Sequence, residues 1–376
     1  VTTTRFDVLI AGGGTMGTAA AWALSKRGVT VGVFEQFDHV NDLASHGGHT
    51  RIFRHAYSEG ADYVPLMRRA DQLWVELGEL TGQEIVHRVG ILEMDAPGGS
   101  HAKTARVAAQ EHDIAYEWMT AGDIRERWPA FNPPDDWEGG YSAIAGFLMV
   151  EPALRGMADL ARQSGKATFF EQSPVTSYGA EGDGVWLESN GQRYEGERLI
   201  VTGGAWSSGL LEGLSLPLTV VRKVLAWLEV KDPAPFQPDV FPVFAADTSE
   251  GEIYGFPIHG QPGLKIADHH GGTVTTPDEI DRYADSVESE RVFDCLAYLL
   301  PGVTRNVLSA SVCMYTRTPD EHFIIDRHPL HRQIAFACGF SGHGFKFATE
   351  IGEHLADLAL KHDAVPYELF RYDRFI

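Results

Sequence analysis

Blocks of apolar and polar positions along the chain change period from one segment to the next. Residues 6–11 form a short apolar run ending in Gly12-Gly13-Gly14, and residues 15–26 continue in an alanine-rich helical pattern closed by Gly28. A second apolar run, 29–34, stops at Glu35. Strand, helix and strand at this spacing make a βαβ unit, the beginning of a parallel sheet. A later strand leaves through residues 93–99 at a Pro-Gly-Gly turn, and residues 132–136 mark a loop. A helical segment at 152–165 precedes strands near 167–178 and 184–189, with turns at Gly182-Asp183-Gly184 and Asn190-Gly191. Between about 217 and 302 hairpin-forming runs dominate, among them 223–230, 253–256 and 264–267. The chain closes with a strand at 334–337, a glycine-rich turn and a helix at 347–361. This order predicts an α/β plus β-rich fold, in which a Rossmann-type dinucleotide-binding domain is interleaved with a mixed β-sheet substrate domain. The first is assigned 1–88, 152–216 and 303–376, and the second 89–151 and 217–302.

Composition narrows the classes of function. With 376 residues, 44% hydrophobic and 22% charged, the chain can bury a substantial core and is long enough for two domains. Fifty-two acidic against 31 basic side chains give a formal charge of −21, which opposes binding to nucleic acid or an anionic membrane. An anionic substrate therefore needs local Arg or Lys. No leader-like or membrane-spanning segment is visible, and three cysteines, Cys295, Cys313 and Cys338, suggest neither a disulfide framework nor a metal site. A reducing cytoplasm is the expected compartment.

Gly12-x-Gly14-x-x-Gly17 has dinucleotide-fingerprint spacing: the glycines permit a tight turn, close approach to a pyrophosphate and tight packing of helix on strand. Backbone N–H groups at the helix start would face the phosphates. Glu35 lies 18 residues after Gly17 at the end of the second run, where a carboxylate can accept from ribose hydroxyls. The fingerprint alone does not separate FAD from NAD. Two spacings bear on chemistry. Arg51 and Arg54, three apart, face opposite ways if the segment is extended, whereas Lys265 and His269 share one face of their alternating run.

Residues 45–57 (SHGGHTRIFRHAY), Tyr254-Gly255-Phe256-Pro257, Cys313-Met314-Tyr315-Thr316 and Gly342-His343-Gly344-Phe345-Lys346 together resemble the monomeric sarcosine oxidase and N-methyltryptophan oxidase family, over essentially the whole chain. The resemblance implies FAD, attached by a thioether to Cys313. It implies that Arg54 and Lys346 bind the substrate carboxylate, that Arg51 sits beside the flavin, and that Tyr254, His269 and Tyr315 line the substrate pocket. Lys265 is the implied oxygen-activating residue, a cation that stabilises the superoxide-like charge developing during electron transfer. Gly342 and Gly344 belong to a turn that sets the last helix's N-terminus near the flavin pyrimidine ring.

The implied activity is oxidation of a secondary N-methyl amino acid, sarcosine or a bulkier one, to the amino acid, formaldehyde and hydrogen peroxide, by a monomer. Three features depart from the family pattern. Gly47 stands where a second histidine is usual, His49 replaces an acidic residue, and Ala245 stands where sarcosine-selective members have methionine. The small Ala245 suggests a larger pocket. The alternatives are an oxidase of another secondary, cyclic or glycated amino acid, an NAD-dependent dehydrogenase, or a flavin-binding redox sensor.

Overall fold

The computed structural model describes residues 4–248 and 251–376. Two large sheets organise it. The first has eight strands, with Thr4–Ala11, Val31–Phe34 and Ala167–Phe170 running parallel from its centre to one side. Gln192–Val201 pairs with Thr4–Ala11 along its length. On its other edge its first half meets the hairpin Val175–Glu181 and Gly184–Ser189, and its second half meets Ile334–Cys338. Buried on both faces, these central strands read as continuous Val, Ile and Leu runs.

Helices Thr15–Lys26, Tyr63–Thr81, Val150–Gln163 and Ala348–Leu360 cover one face. Alanines of the first helix let the last one approach closely, and a Cβ at Gly352 would collide with the backbone of Ala19. The expected run 167–178 is two strands, because Gln172 adopts φ 52° between them.

The second sheet has nine strands, ordered from Thr273–Thr275 through Thr219–Val230, Leu264–Asp268, Gly251–Phe256, Val243–Thr248, Ile91–Asp95 and Glu138–Ser142 to Glu117–Thr120, with Val303–Arg317 also on Thr219–Val230. All pairings are antiparallel except Val243–Thr248 with Ile91–Asp95. The sequence pattern places Val303–Arg317 with the nucleotide domain. Its register instead runs from Thr219 opposite Arg317 to Val230 opposite Val303, which makes it part of the second sheet.

Period-two alternation divides this sheet's faces. Leu92, Met94, Phe244, Ala246, Ile253, Leu264 and Ile266 pack under the helix Glu290–Leu299. Glu93, Ala245, Glu252, Tyr254, Phe256 and Lys265 stand on the other face, and it is there that the chemistry collects. Among the described residues no helix is long and apolar enough to cross a membrane.

Candidate active site

The first strand ends at Gly12, whose φ of 104° lies in the region glycine favours. A Cβ there would strike the Thr202 carbonyl, and one at Gly17 would strike the carbonyl of Gly12, so both positions require glycine. Gly14 is different: a Cβ would meet nothing within 4 Å, because the helix start opens on a cavity of about 400 Å³. Gly12, Gly14 and Glu35 line one part of that cavity, and Arg51, Tyr315, Gly342 and Gly344 another. Glu35 is 8% exposed, burial raises its carboxyl pKa, and its Oε1 accepts the N–H of Phe37 at 3.1 Å. An extended cavity that begins at a helix N-terminus with a carboxylate beside it fits a dinucleotide such as FAD.

A smaller cavity, about 50 Å³, shares Arg51, Tyr315, Gly342 and Phe345 with the first. Arg54, Tyr254, His269, Cys313 and Lys346 also line it. The extended strand Thr50–Phe53 ends before Arg54, so the parity that set the two arginines on opposite faces does not reach it, and both face this cavity. Arg51 donates to the carbonyls of Thr50, Ser45 and Gly47 at 2.8, 3.0 and 2.6 Å. Gly47 thus holds Arg51 through its backbone, while His49 is exposed with φ 63° and its ring lies 5.8 Å from that of Trp227.

Arg54 is committed to protein carboxylates. Its Nη2 donates to Glu59 at 2.8 and 2.9 Å and its Nη1 to Glu93 at 2.9 Å, while its Nε is buried without a partner. Lys346 donates to the hydroxyl of Tyr57 and the carbonyl of His343. The turn carrying it is pinned by Trp74, whose indole N–H meets the Lys346 carbonyl at 2.8 Å. Burial, reinforced by Arg54, lowers the Lys346 ammonium to about 7. Burial also holds the His269 imidazole neutral, with its pKa down at about 3, and pushes the Tyr254 phenol up to about 12. The Tyr254 and Tyr315 hydroxyls are 3.1 Å apart.

Lys265 stands behind this wall rather than in it. Its Nζ donates to the Gly48 carbonyl, the Thr50 carbonyl and Thr50 Oγ1 at 2.6, 2.9 and 3.0 Å, and lies 4.4 Å from the Phe256 ring centroid. Burial and the charge of Arg51 press its ammonium well below the usual range, against those three acceptors. Cys313 is 1% exposed; burial raises its thiol pKa, while Arg51, Lys265 and Lys223 favour the thiolate. Cys295 and Cys338 are buried elsewhere.

The expectation for Ala245 needs correction. It is fully buried and lines neither cavity. Its strand neighbours are Tyr254 and Glu93, and the Glu93 carboxylate on the same face gathers Arg54, His101 and Tyr116. The space a bulkier residue would take is bounded by that ion cluster.

Glu59, Glu93, His101 and Glu252 were not anticipated. Glu93 and Glu252 alternate with the core residues Leu92, Met94 and Ile253, so the apolar pattern alone reads them as solvent-facing, and only packing on the sheet's other face buries them.

Residues 7–358 match the family described as FAD dependent oxidoreductase. A monomeric sarcosine oxidase from Bacillus sp. (strain B-0618) is 38% identical, covering 98% of this chain and 96% of its own. N-methyl-L-tryptophan oxidase from Yersinia pestis (strain Pestoides F) is 33% identical, covering 98% and 99%. Among solved structures, NikD, an amino acid oxidase of nikkomycin biosynthesis, superposes with a TM-score of 0.82 at 24% identity over 97% of this chain and 96% of its own. Glycine oxidase from Geobacillus kaustophilus superposes with a TM-score of 0.80 at 23% identity over the whole of both chains. These two share the fold.

Proposed function

The chain belongs to the FAD-dependent oxidoreductase family, and on that premise we propose that it oxidises the C–N bond of a secondary N-methyl amino acid, giving the amino acid, formaldehyde and hydrogen peroxide. One observation supports this above the others. A small cavity that can hold an amino acid carries Arg54, Lys346, Tyr254 and His269 and opens against the larger cavity that fits the dinucleotide.

Bound FAD supplies the two-electron acceptor and the route of those electrons to oxygen. The chain's own groups do the rest. Arg54 and Lys346 hold the carboxylate, the first as a planar fork and the second as a point charge. A carboxylate arriving there competes with Glu59 for Arg54. Neutral His269 and the Tyr254–Tyr315 pair orient the amine by hydrogen bonds. Lys265 contributes positive charge where oxygen is reduced.

Cys313 is the proposed attachment point of the flavin, supported by its place in the small cavity with three cations nearby. Acid precipitation of purified protein should leave the yellow colour in the pellet, and in a Cys313→Ser variant the colour should move to the supernatant. A colourless wild-type pellet removes the covalent link while leaving the oxidase reading intact.

The function itself is tested by mixing the protein anaerobically with sarcosine, then with larger N-methyl amino acids, and following the oxidised-flavin absorbance. One of them should bleach it, faster as pH rises, because a protonated amine has no lone pair to assist transfer. Persistent yellow colour with every N-methyl amino acid, or a flat pH profile through the amine titration, counts against it.

A further inference from the structure

Lys346 is held by a chain of hydrogen bonds that leaves the small cavity and ends on the main chain. Its Nζ lies 3.1 Å from the Tyr57 hydroxyl, that hydroxyl lies 2.7 Å from His343 Nδ1, and His343 Nε2 lies 2.9 Å from the Glu321 carbonyl.

The far end fixes the direction of every bond. A carbonyl oxygen can only accept, so His343 carries a hydrogen on Nε2. The ring is buried and neutral, with its pKa brought down to about 4, which leaves Nδ1 as an acceptor. Tyr57 therefore donates to Nδ1, and the lone pairs of its oxygen face Lys346, which must donate. The opposite polarity would set the Nε2 lone pair against the carbonyl oxygen.

That carbonyl is itself fixed. Glu321 has φ 59°, a conformation that is costly for a residue with a side chain and persists only where its surroundings impose it. Here they do. The Glu321 N–H donates to the Thr318 carbonyl, Thr318 Oγ1 donates to the His322 carbonyl, and Arg374 donates to both Asp320 and the His322 carbonyl.

The near end is equally constrained. Tyr57 is fully buried, and the face of its ring lies 5.0 Å from the Arg54 guanidinium and 5.1 Å from Lys346 Nζ. An ammonium has three N–H groups. The Tyr57 hydroxyl and the His343 carbonyl take two of them, leaving one for the cavity that Lys346 lines.

We propose that Tyr57 and His343 are positioning residues for the substrate carboxylate: oriented by the Glu321 carbonyl, they hold Lys346 as a donor with a single N–H left for the anion. The inference rests on Lys346 binding that carboxylate in the proposed reaction, and both residues act through Lys346.

Acetate, a bare carboxylate, is titrated into oxidised holoenzyme, reading the perturbation of the flavin spectrum. Tyr57→Phe keeps the ring face and removes only the hydroxyl. It should weaken acetate by about tenfold or more, the effect of leaving a buried hydrogen-bonding group without its partner. In a Lys346→Met background the same change should alter affinity by less than about twofold, because distinct effects on one shared group do not add. His343→Asn sets an amide oxygen where Nδ1 stands and should keep most of the affinity, whereas His343→Leu should lose it as Tyr57→Phe does. Unchanged affinity in Tyr57→Phe, the same loss in the Lys346→Met background, or equal losses for the Asn and Leu variants overturn the proposal. The His343 pair decides if Tyr57→Phe does not fold. Absence of acetate binding in wild type, or undiminished binding in Lys346→Met, removes Lys346 from the carboxylate site and overturns the proposal with it. Flavin bleaching by N-methyl amino acids, measured on wild type alone, decides the oxidase reading separately.

Discussion

Replacement of Lys265 by methionine is expected to slow oxygen-dependent turnover by ~10²–10³-fold, the usual loss when one preorganised charge-stabilising group is removed from a buried site. The side chain is of similar length and buried volume, so packing against Phe256 and Trp227 is largely kept while the charge is lost. Three oxygen acceptors hold Nζ in place and pay part of the desolvation of an ammonium. An anion forming nearby favours the charged state further, so positive charge is strongest at the moment oxygen accepts an electron. Stopped-flow measurement separates the two half-reactions. The expected defect lies in the step with oxygen, and an equal loss in anaerobic bleaching would instead assign Lys265 to substrate orientation or to the fold of the 48–50 turn.

The second large effect is expected at Arg54. Its side chain is 6% exposed and it separates the carboxylates of Glu59 and Glu93, so Arg54→Met leaves two buried anions facing each other. Breaking such a pair costs about 3–5 kcal/mol, and the melting temperature should fall accordingly. The same change should lower kcat/KM for carboxylate substrates by at least ~10²-fold, since a charge-assisted fork is lost. The two roles separate in a double variant. Adding Glu93→Gln to Arg54→Met should recover much of the stability, yet no substrate capture. Recovery of both would reduce Arg54 to a structural counterion.

Local signals made much of this architecture readable. The βαβ unit could be placed from residues 6–35 because a buried parallel strand, a glycine turn and an alanine-rich helix each leave a pattern within a few residues, and the helix Thr15–Lys26 begins and ends where the pattern does. The helix Tyr63–Thr81 went unread although Val64, Met67, Ala70, Trp74 and Leu77 recur at helical spacing; charged residues between them dilute the apolar signal. Val303–Arg317 shows the opposite limit, since its partner lies about eighty residues earlier and no local pattern says which sheet a strand joins.

At the site, Tyr254, His269, Arg54 and Lys346 were found by motif, and the cavity brings them together. Glu93, His101 and Glu252 come from three separate stretches with no motif, and their meaning appears only once the strands of Glu93 and Glu252 flank Val243–Thr248 and the start of the helix His101–Glu111 lies over them.

The close crossing of the first and last helices also bears on how the protein is made. Thr15–Lys26 precedes both its packing partner Ala348–Leu360 and the strand Ile334–Cys338 that completes the sheet by about three hundred residues. The nascent chain must hold an exposed alanine face and an open strand edge until those segments have emerged. Folding is therefore slow in the manner of a fold dominated by distant contacts, and a chain cut before residue 334 is a substrate for chaperones and proteases rather than a shortened enzyme.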